Sequence, residues 1–368
     1  MDWFENDVIR SIASTAEAFA GKELTDFASA VREGKPAEGL WEKSLRSSGR
    51  LGLWLGPLPA EFGGTGMDAV SCAMVVSKLA GGCAGFAAML AVHYSALACL
   101  EPLLPEKPVE DVLKALAGAG AGGMPSIISL AHAEEIAGLD STVPGAANSS
   151  PHGTFLAMID PEQAYRVVLT GAGQAVFIMD PAKLLALCRS AFPGSGLSEL
   201  AVCRLDFGTG SAGVKADALV TGRKAFEAAE AAQARLKLLL SAAMFGNAEK
   251  AQMEAVAYAR ERRQTGRLII DHQEVRKVLV NSEMLLKAVE SFLFRAAAYS
   301  GPARVNGIMP NDLLFRFTSS ACEKVCLDAV QTLGGYGYMK DYGVEKRLRD
   351  TKTLSALPGS FLSDVLGQ

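Results

Sequence analysis

The sequence predicts a mainly α protein with a central β-domain, in the order helices, sheet, helices. Residues 2–116 are rich in alanine, leucine, methionine and lysine at helical spacing, which predicts a helical N-terminal part. Short β-prone runs follow within residues 126–222, separated by glycine, proline, asparagine and aspartate as in a small β-domain. From Lys224 onward, long segments rich in alanine, leucine and charged residues predict helices again. We therefore expect three domains, at residues 1–122, 123–222 and 223–368.

The N-terminal domain contains one strongly apolar stretch, residues 87–104, which is interrupted by His93 and ends near Pro102. We interpret this stretch as a buried helix rather than a membrane span, because polar residues break its apolar run. A glycine- and proline-rich island at residues 56–66 interrupts the helical pattern. The glycine-dense run at residues 117–125 marks the boundary with the β-domain.

The other two domains have distinct local patterns. The β-prone runs lie at residues 165–170, 175–179 and 200–207. The C-terminal helices are predicted at residues 224–263, 273–299 and 311–332. No internal repeat of fixed period is present in the sequence, so these elements belong to individual domains rather than to a repeat array.

The composition argues against nucleic-acid binding and export. The chain has 368 residues, is 49% hydrophobic and carries a formal net charge of −4, so no basic face is expected to bind a polyanion. The first seven residues show no basic segment leading into an apolar one, which predicts no export signal. We therefore expect a cytoplasmic protein with no nucleic-acid partner and no membrane span.

Seven cysteines are scattered along the chain, at positions 72, 83, 99, 188, 203, 322 and 326. Their odd number and the absence of a Cys-x-x-Cys pair fit a reducing compartment. Cys322 and Cys326 would share one face of a helix, where two thiolates could bind a metal ion. Because cysteine is among the residues most often buried, we interpret the pair as core residues and expect no metal site.

Four segments carry a family resemblance. Residues 58–68 are Leu-Pro-Ala-Glu-Phe-Gly-Gly-Thr-Gly-Met-Asp, and residues 258–266 are Tyr-Ala-Arg-Glu-Arg-Arg-Gln-Thr-Gly. Residues 331–337 are Gln-Thr-Leu-Gly-Gly-Tyr-Gly, and Arg-Asp-Thr-Lys at 349–352 precedes Pro-Gly-Ser at 358–360. In this order the segments resemble those of the acyl-CoA dehydrogenase family.

The resemblance implies an N-terminal helical domain, a middle β-barrel-like domain and a C-terminal four-helix bundle that assembles as a dimer of dimers. It also implies FAD as the cofactor, with its pyrophosphate and adenine end held across a subunit interface. The predicted cofactor-binding residues are Arg262, Gln273, Gln331, Gly334, Gly335 and Ser360. The chemistry agrees, because a guanidinium offers forked donors to phosphate and a glycine turn exposes backbone N–H groups to the same anion.

Both positions that the family uses for its catalytic base are changed. The family has Tyr-Glu-Gly-Thr, with the glutamate as base, where this chain has Pro358, which cannot accept a proton. The second position falls on Leu236, with Lys237 beside it. Ala133 and Leu139 replace two hydroxyl residues that lie near the flavin in the family. Without a positioned carboxylate, removal of the α-proton slows by a factor on the order of a hundred to ten thousand.

Three hypotheses follow. In the first, the chain is a complete acyl-CoA dehydrogenase whose base is His93, Glu345 or Asp350, although a lone histidine in an apolar run is more often a core residue. In the second, it is one subunit of a heteromeric enzyme, and a second acyl-CoA dehydrogenase-like subunit supplies the flavin-ring pocket and the glutamate. In the third, it is a redox-silent scaffold or acyl-CoA-binding protein. We rank the heteromer first, because the retained residues lie on segments that reach across the family interface.

The reaction implied by the resemblance is α,β-desaturation of an acyl-CoA thioester. A carboxylate takes the α-proton, the β-hydrogen leaves as hydride to the flavin, and the electrons pass to an electron-transferring flavoprotein. The thioester oxygen needs two hydrogen bonds to stabilise the developing enolate. The sequence does not assign the residues that line the acyl pocket, so the identity of the acyl group stays open.

Overall fold

The computed structural model describes residues 7–35, 37–104, 106–119, 124–133, 153–157, 166–171, 175–184, 188–191, 196–197, 199, 203–207, 217–299 and 310–357. The chain runs from N-terminal helices through a β-sheet into a C-terminal helix bundle. This order confirms the predicted fold class.

The N-terminal part of the chain is helical. They are α1 (Asp7–Phe19), α2 (Thr25–Arg32), α3 (Glu38–Arg50), α4 (Ala69–Gly82), α5 (Ala84–Leu100) and α6 (Lys107–Ala119). A π-helical turn joins α1 to α2. The Asp68 carboxylate caps the start of α4 by accepting a 2.8 Å hydrogen bond from the Ser71 N–H.

Helix α5 forms the centre of the N-terminal core. The stretch from Ala84 to Leu103 is long and apolar enough to cross a membrane by length and composition. However, 83% of its most apolar window is buried inside the structure, against other parts of the protein. The prediction of a buried helix in this region is therefore confirmed.

The middle of the chain forms a seven-stranded sheet within the described residues. Its strands are β1 (Ile128–Ala133), β2 (Gly153–Ala157), β3 (Arg166–Gly171), β4 (Ala175–Met179), β5 (Cys188–Ala191), β6 (Cys203–Phe207) and β7 (Ala218–Thr221). The strand order is β5-β6-β2-β1-β3-β4-β7, with β1 and β3 parallel and the other neighbours antiparallel. Strand β1 contacts α5, and β4 and β7 contact the first helix of the C-terminal bundle, so the sheet touches both helical parts.

The C-terminal bundle is built around one long helix. Its helices are α7 (Arg223–Glu261), α8 (Gln273–Ala298), α9 (Pro310–Leu333) and α10 (Val344–Ala356). A two-stranded hairpin, β8 (Arg263–Gln264) and β9 (Arg267–Leu268), joins α7 to α8. Helix α7 contacts α4 and α5 as well as α8, α9 and α10, so it connects the bundle to the N-terminal core.

The crossing of α4 and α7 is unusually close. A Cβ atom added at Gly246 on α7 would overlap the backbone oxygen of Ser77 on α4. Glycine is therefore required at this position, because any side chain would push the two helices apart.

The predicted C-terminal helices are confirmed as α7, α8 and α9 to within two residues at each end. The predicted strand at 175–179 matches β4, and those at 165–170 and 200–207 overlap β3 and β6. Helix α10 was not predicted as a helix. The strands of the seven-stranded sheet run from Ile128 to Thr221, and the domain limits at 122 and 222 stay a prediction.

Candidate functional site

An exposed groove of about 570 Å³ lies where the ends of α7 and α9 meet the hairpin and the start of α8. Four of the predicted cofactor-binding residues line it: Arg262, Gln331, Gly334 and Gly335. Gln273 is the exposed first residue of α8, next to Glu274, which also lines the groove. Ser360 lies outside the described residues. The structure thus brings most of the predicted set to one place.

Arg262 is positioned by its backbone. It follows the last residue of α7 in an extended conformation, and its N–H donates a 2.9 Å hydrogen bond to the Tyr258 carbonyl. Its own carbonyl accepts a 2.8 Å bond from the Ile269 N–H across the hairpin. The guanidinium carbon lies 5.7 Å from the centre of the Tyr336 ring, within the range of a cation–π contact.

The end of α9 forms the opposite wall of the groove. The helix ends at Leu333, and Gly334 follows with φ of 60°, a left-handed conformation that glycine adopts at little cost. A Cβ atom added at Gly334 or Gly335 would meet no atom within 4 Å. The backbone of this turn is therefore open to close approach by a ligand.

His93, the first alternative base, is fully buried in α5 and has both ring nitrogens engaged. Its Nε2 lies 2.8 Å from the Trp54 carbonyl, and its Nδ1 accepts a 2.9 Å hydrogen bond from the Ile128 N–H. Because Nδ1 is the acceptor, Nε2 carries the proton and the ring is neutral. Burial lowers the pKa of His93 to about 4. This geometry confirms a core role and does not support His93 as the base.

Asp350, the second alternative, is also committed to structural contacts. It is 2% exposed, and its Oδ2 lies 2.7 Å from Lys346 Nζ on the same face of α10. Its Oδ1 accepts a 2.7 Å hydrogen bond from the Leu197 N–H. Lys346 Nζ lies a further 2.7 Å from Oε1 of Glu199, whose side chain is fully buried. Asp350 therefore belongs to a buried charge cluster and does not face the groove.

Further contacts beside these charges hold the loop before β6 against α10. The Gly196 N–H donates a 3.1 Å hydrogen bond to Thr353 Oγ1, and a Cβ atom at Gly196 would overlap the backbone of Arg349. Burial raises the pKa of Glu199, because removing a carboxylate from water disfavours its charged form. We define the side chains of Glu199, Lys346 and Asp350 as the buried cluster.

The remaining base positions are equally occupied or apolar. Both oxygens of Glu345 accept hydrogen bonds from Arg349, at 2.6 and 2.9 Å, and this pairing lowers the pKa of Glu345. Leu236 is fully buried in α7. The neighbouring Lys237 is buried too, with Nζ 2.7 Å from Asp312 Oδ1 at the start of α9. Pro358 lies outside the described residues.

The cysteine pair on α9 is part of the core. Cys322 and Cys326 are both fully buried, which confirms their interpretation as core residues. The Cys326 thiol lies 3.5 Å from Thr351 Oγ1, and burial raises its pKa to about 12. Among the described residues, no group of three or more potential metal ligands comes together.

The comparison with known proteins defines the class. The family model "Acyl-CoA dehydrogenase, N-terminal domain" matches residues 6–104, and "Acyl-CoA dehydrogenase, C-terminal domain" matches residues 224–361, on either side of the sheet. The fold is similar to that of butyryl-CoA dehydrogenase from Megasphaera elsdenii, with a TM-score of 0.77 at 20% identity over 100% of this chain and 99% of that one. The chain belongs to the acyl-CoA dehydrogenase family.

Two curated relatives extend this finding. An acyl-CoA dehydrogenase of Bacillus subtilis (strain 168) is 27% identical over 369 residues, which cover 92% of this chain and 93% of the relative. Subunit CarC of the caffeyl-CoA reductase–Etf complex of Acetobacterium woodii is 31% identical over 124 residues, which cover 34% of this chain and 32% of the relative. The first similarity extends over nearly the whole chain, and the second over a third of it.

Two features were not predicted from the sequence, one at the groove and one in the buried cluster. Tyr258 and Tyr336 both line the groove. They belong to the motifs at residues 258–266 and 331–337, but neither was predicted as a site residue. The pairing of Glu199 with Lys346 had no signal in the sequence, because the two residues are far apart along the chain. The spacing of Lys346 and Asp350 could have indicated a helix, because charged residues four apart lie on one helical face.

Proposed function

We propose that this chain is one subunit of an FAD-dependent acyl-CoA dehydrogenase complex. In this complex it binds the pyrophosphate end of FAD in the groove, and a second acyl-CoA dehydrogenase-like subunit supplies the flavin-ring pocket and the catalytic glutamate. The observation that carries the proposal is the convergence of Arg262, Gln331, Gly334 and Gly335 in one exposed groove. The described alternative bases, by contrast, are engaged elsewhere: His93 and Asp350 in buried contacts, and Glu345 in a partly exposed ion pair with Arg349.

The groove has the chemistry that a pyrophosphate needs. The Arg262 guanidinium contacts an aromatic ring and pairs with no carboxylate among the described residues. Gln331 adds a carboxamide, and the open backbone at Gly334 and Gly335 lets an anion approach closely. These residues fit one end of FAD. When bound, FAD would supply the hydride acceptor for desaturation of the acyl thioester.

The engaged bases favour a partner over a self-sufficient enzyme. His93 has a neutral ring with both nitrogens bonded, and Asp350 is held by Lys346. Glu345 is held by Arg349 through both of its oxygens. A general base needs a lone pair within reach of the substrate proton. The His93 ring has none free, the carboxylates of Asp350 and Glu345 are held in ion pairs, and none of the three residues lines the groove. A partner subunit can supply the glutamate, and an electron-transferring flavoprotein would accept the electrons from the assembled enzyme.

The experiment is to purify the chain alone, record its visible spectrum and quantify FAD per protomer after denaturation. We expect little or no flavin on the single chain, and yellow colour when it is co-expressed with a dehydrogenase-like partner. Arg262→Gln should lower the flavin content of the co-purified complex, because it removes the forked phosphate donor. Arg223→Gln is the matched control, since Arg223 is an exposed arginine at the other end of α7.

Two results would contradict the proposal in different ways. One flavin per isolated chain, bleached by an acyl-CoA, would mean a self-sufficient enzyme with a base still to be found. No flavin with any partner, together with an unchanged complex for Arg262→Gln, would favour a redox-silent scaffold.

A further inference from the structure

A cluster of three tyrosines borders the groove and is not explained by cofactor contacts alone. The rings of Tyr336 and Tyr342 are 5.2 Å apart, and each lies 6.2 Å from the ring of Tyr258. These separations are typical of aromatic pairs that attract one another. The guanidinium of Arg262 sits over the Tyr336 ring at 5.7 Å, so the cluster ends at the arginine.

The positions of these rings are fixed by rigid backbone. Tyr258 lies one helical turn before Arg262 on α7, and its carbonyl accepts the Arg262 N–H. Tyr336 lies in the 3₁₀ helix that directly follows α9. Gly337 packs that turn onto α9 so tightly that a Cβ atom would overlap the Val330 carbonyl. The ring of Tyr336 is therefore held by the bundle itself.

Arg262 itself is held mainly by this ring. It is exposed, it is the C-terminal cap of α7, and no carboxylate among the described residues pairs with it. A long arginine side chain without a partner would sample many rotamers. A ring against the face of the guanidinium limits that freedom and leaves the N–H groups in its plane available to a phosphate.

We infer that Tyr336 is a positioning residue that presents the Arg262 guanidinium to the phosphate groups of a nucleotide ligand, with Tyr258 and Tyr342 bracing its ring. The inference rests on the proposed function and deepens it. It states that the Tyr336 ring restricts the rotamers of Arg262, and that this ring need not touch the ligand. It depends on the aromatic face of Tyr336 and not on its hydroxyl.

The test is a double-mutant cycle in the full-length chain with two probes, ADP and inorganic pyrophosphate, measured by titration calorimetry. Tyr336→Leu keeps an apolar side chain for folding but removes the aromatic face. We expect it to weaken both probes by a similar factor, about two- to fivefold, as the size of an exposed cation–π contact implies. Tyr336→Phe should bind like the wild type. In an Arg262→Ala background, Tyr336→Leu should have no further effect.

Control and contrary outcomes are distinct. Tyr338→Ala is the matched control, because Tyr338 is 75% exposed in the same turn. If Tyr336→Leu weakens ADP but not pyrophosphate, the ring stacks on the adenine and the positioning role is wrong. An equal effect of Tyr336→Leu in the Arg262→Ala background would also overturn it. If the wild type binds neither probe at millimolar concentration, the inference is overturned, whereas the proposed function is decided separately by the flavin content of the co-expressed complex.

Discussion

His93 Nδ1 accepts a 2.9 Å hydrogen bond from the backbone N–H of Ile128, so a neutral histidine in α5 holds the first residue of β1. The other ring nitrogen lies 2.8 Å from the Trp54 carbonyl in the N-terminal domain. One imidazole thus joins two parts of the fold. Its protonation would break the bond to Ile128, because Nδ1 would become a donor facing a donor.

This relationship predicts a dependence of stability on pH. The pKa of His93 in the folded protein is about 4, below its ordinary value of 6.5, so the unfolded chain takes up the proton first. The free energy of unfolding should be unaffected by this group above pH 6.5. It should fall by about 1.4 kcal/mol per pH unit as the pH drops from 6.5 toward 4. Urea unfolding at several pH values measures the slope.

Two variants assign that slope. His93→Gln keeps a polar side chain but cannot titrate, so it should lose this part of the slope even if its overall stability is lower. His272→Gln, at the only other described histidine outside the sheet, should retain it. An unchanged slope in His93→Gln would show that other groups cause the pH dependence.

The buried cluster predicts a large loss when its single cation is removed. Lys346→Met leaves Glu199 and Asp350 buried without a counter-charge, which should cost about 3–5 kcal/mol of unfolding free energy. Urea unfolding at pH 7.5 measures the loss. Lys352→Met is the control, because its ion pair with Glu323 is exposed and should contribute at most about 1 kcal/mol.

The pH dependence of Lys346→Met has a definite sign. Burial raises the pKa of Glu199 above its unfolded value, so the folded state holds the proton more tightly. The stability from this carboxyl is full below the unfolded pKa and is lost as the pH rises through the folded one. Without Lys346 this effect grows, so the deficit should be smaller at pH 5 than at pH 7.5. A deficit that increases on acidification would be inconsistent with the buried cluster.

The α4–α7 crossing predicts that Gly246→Ala is strongly destabilising. The new methyl group would overlap the Ser77 carbonyl, and overpacking of this kind costs about 1–3 kcal/mol or more. Gly118→Ala is a matched helical control, because a Cβ atom there meets nothing within 4 Å and alanine favours the helix by about 0.5–1 kcal/mol. Thermal unfolding of both variants distinguishes them. Equal melting temperatures would mean that the crossing tolerates separation.

The core cysteines predict low thiol reactivity and no response to chelation. Cys322 and Cys326 should stay unlabelled by a disulfide reagent in the native protein and react once it is unfolded, because burial raises the pKa of both thiols. EDTA should leave the melting temperature unchanged. Rapid native labelling at these positions, identified by peptide mapping, would contradict their burial.

The helices could be predicted closely because their signal is local. The alanine, leucine and charge pattern of α7, α8 and α9 repeats within each helix. The motifs that contain Arg262 and Gln331 are likewise short continuous segments of the sequence. Helix α10 was not predicted, because the Arg-Asp-Thr-Lys segment at residues 349–352 was interpreted as a cofactor motif and not as part of a helix. The contact of Leu197 with Asp350 joins residues 153 positions apart, and no local pattern encodes such a pair.

The motif residues that line the groove could therefore be predicted from the sequence. The contacts that engage the alternative bases could not. The sequence favours a core residue for a histidine in an apolar run but leaves a catalytic base open. Only the positions of Trp54 and Ile128 around His93 decide between them. The same holds for Asp350, which pairs with Lys346 and accepts a hydrogen bond from Leu197 in the loop before β6.

The attachment of Gly196 and Leu197 to α10 has a consequence for synthesis on the ribosome. The side chains that accept these two hydrogen bonds, on Thr353 and Asp350, are translated more than 150 residues after the donors. We therefore expect this edge of the nascent β-domain to lack both hydrogen bonds until helix α10 has left the exit tunnel. Polypeptides truncated before Asp350 would lack both acceptors, so the loop before β6 would not attach to α10. We expect cellular proteases to degrade such polypeptides more readily than the untruncated protein.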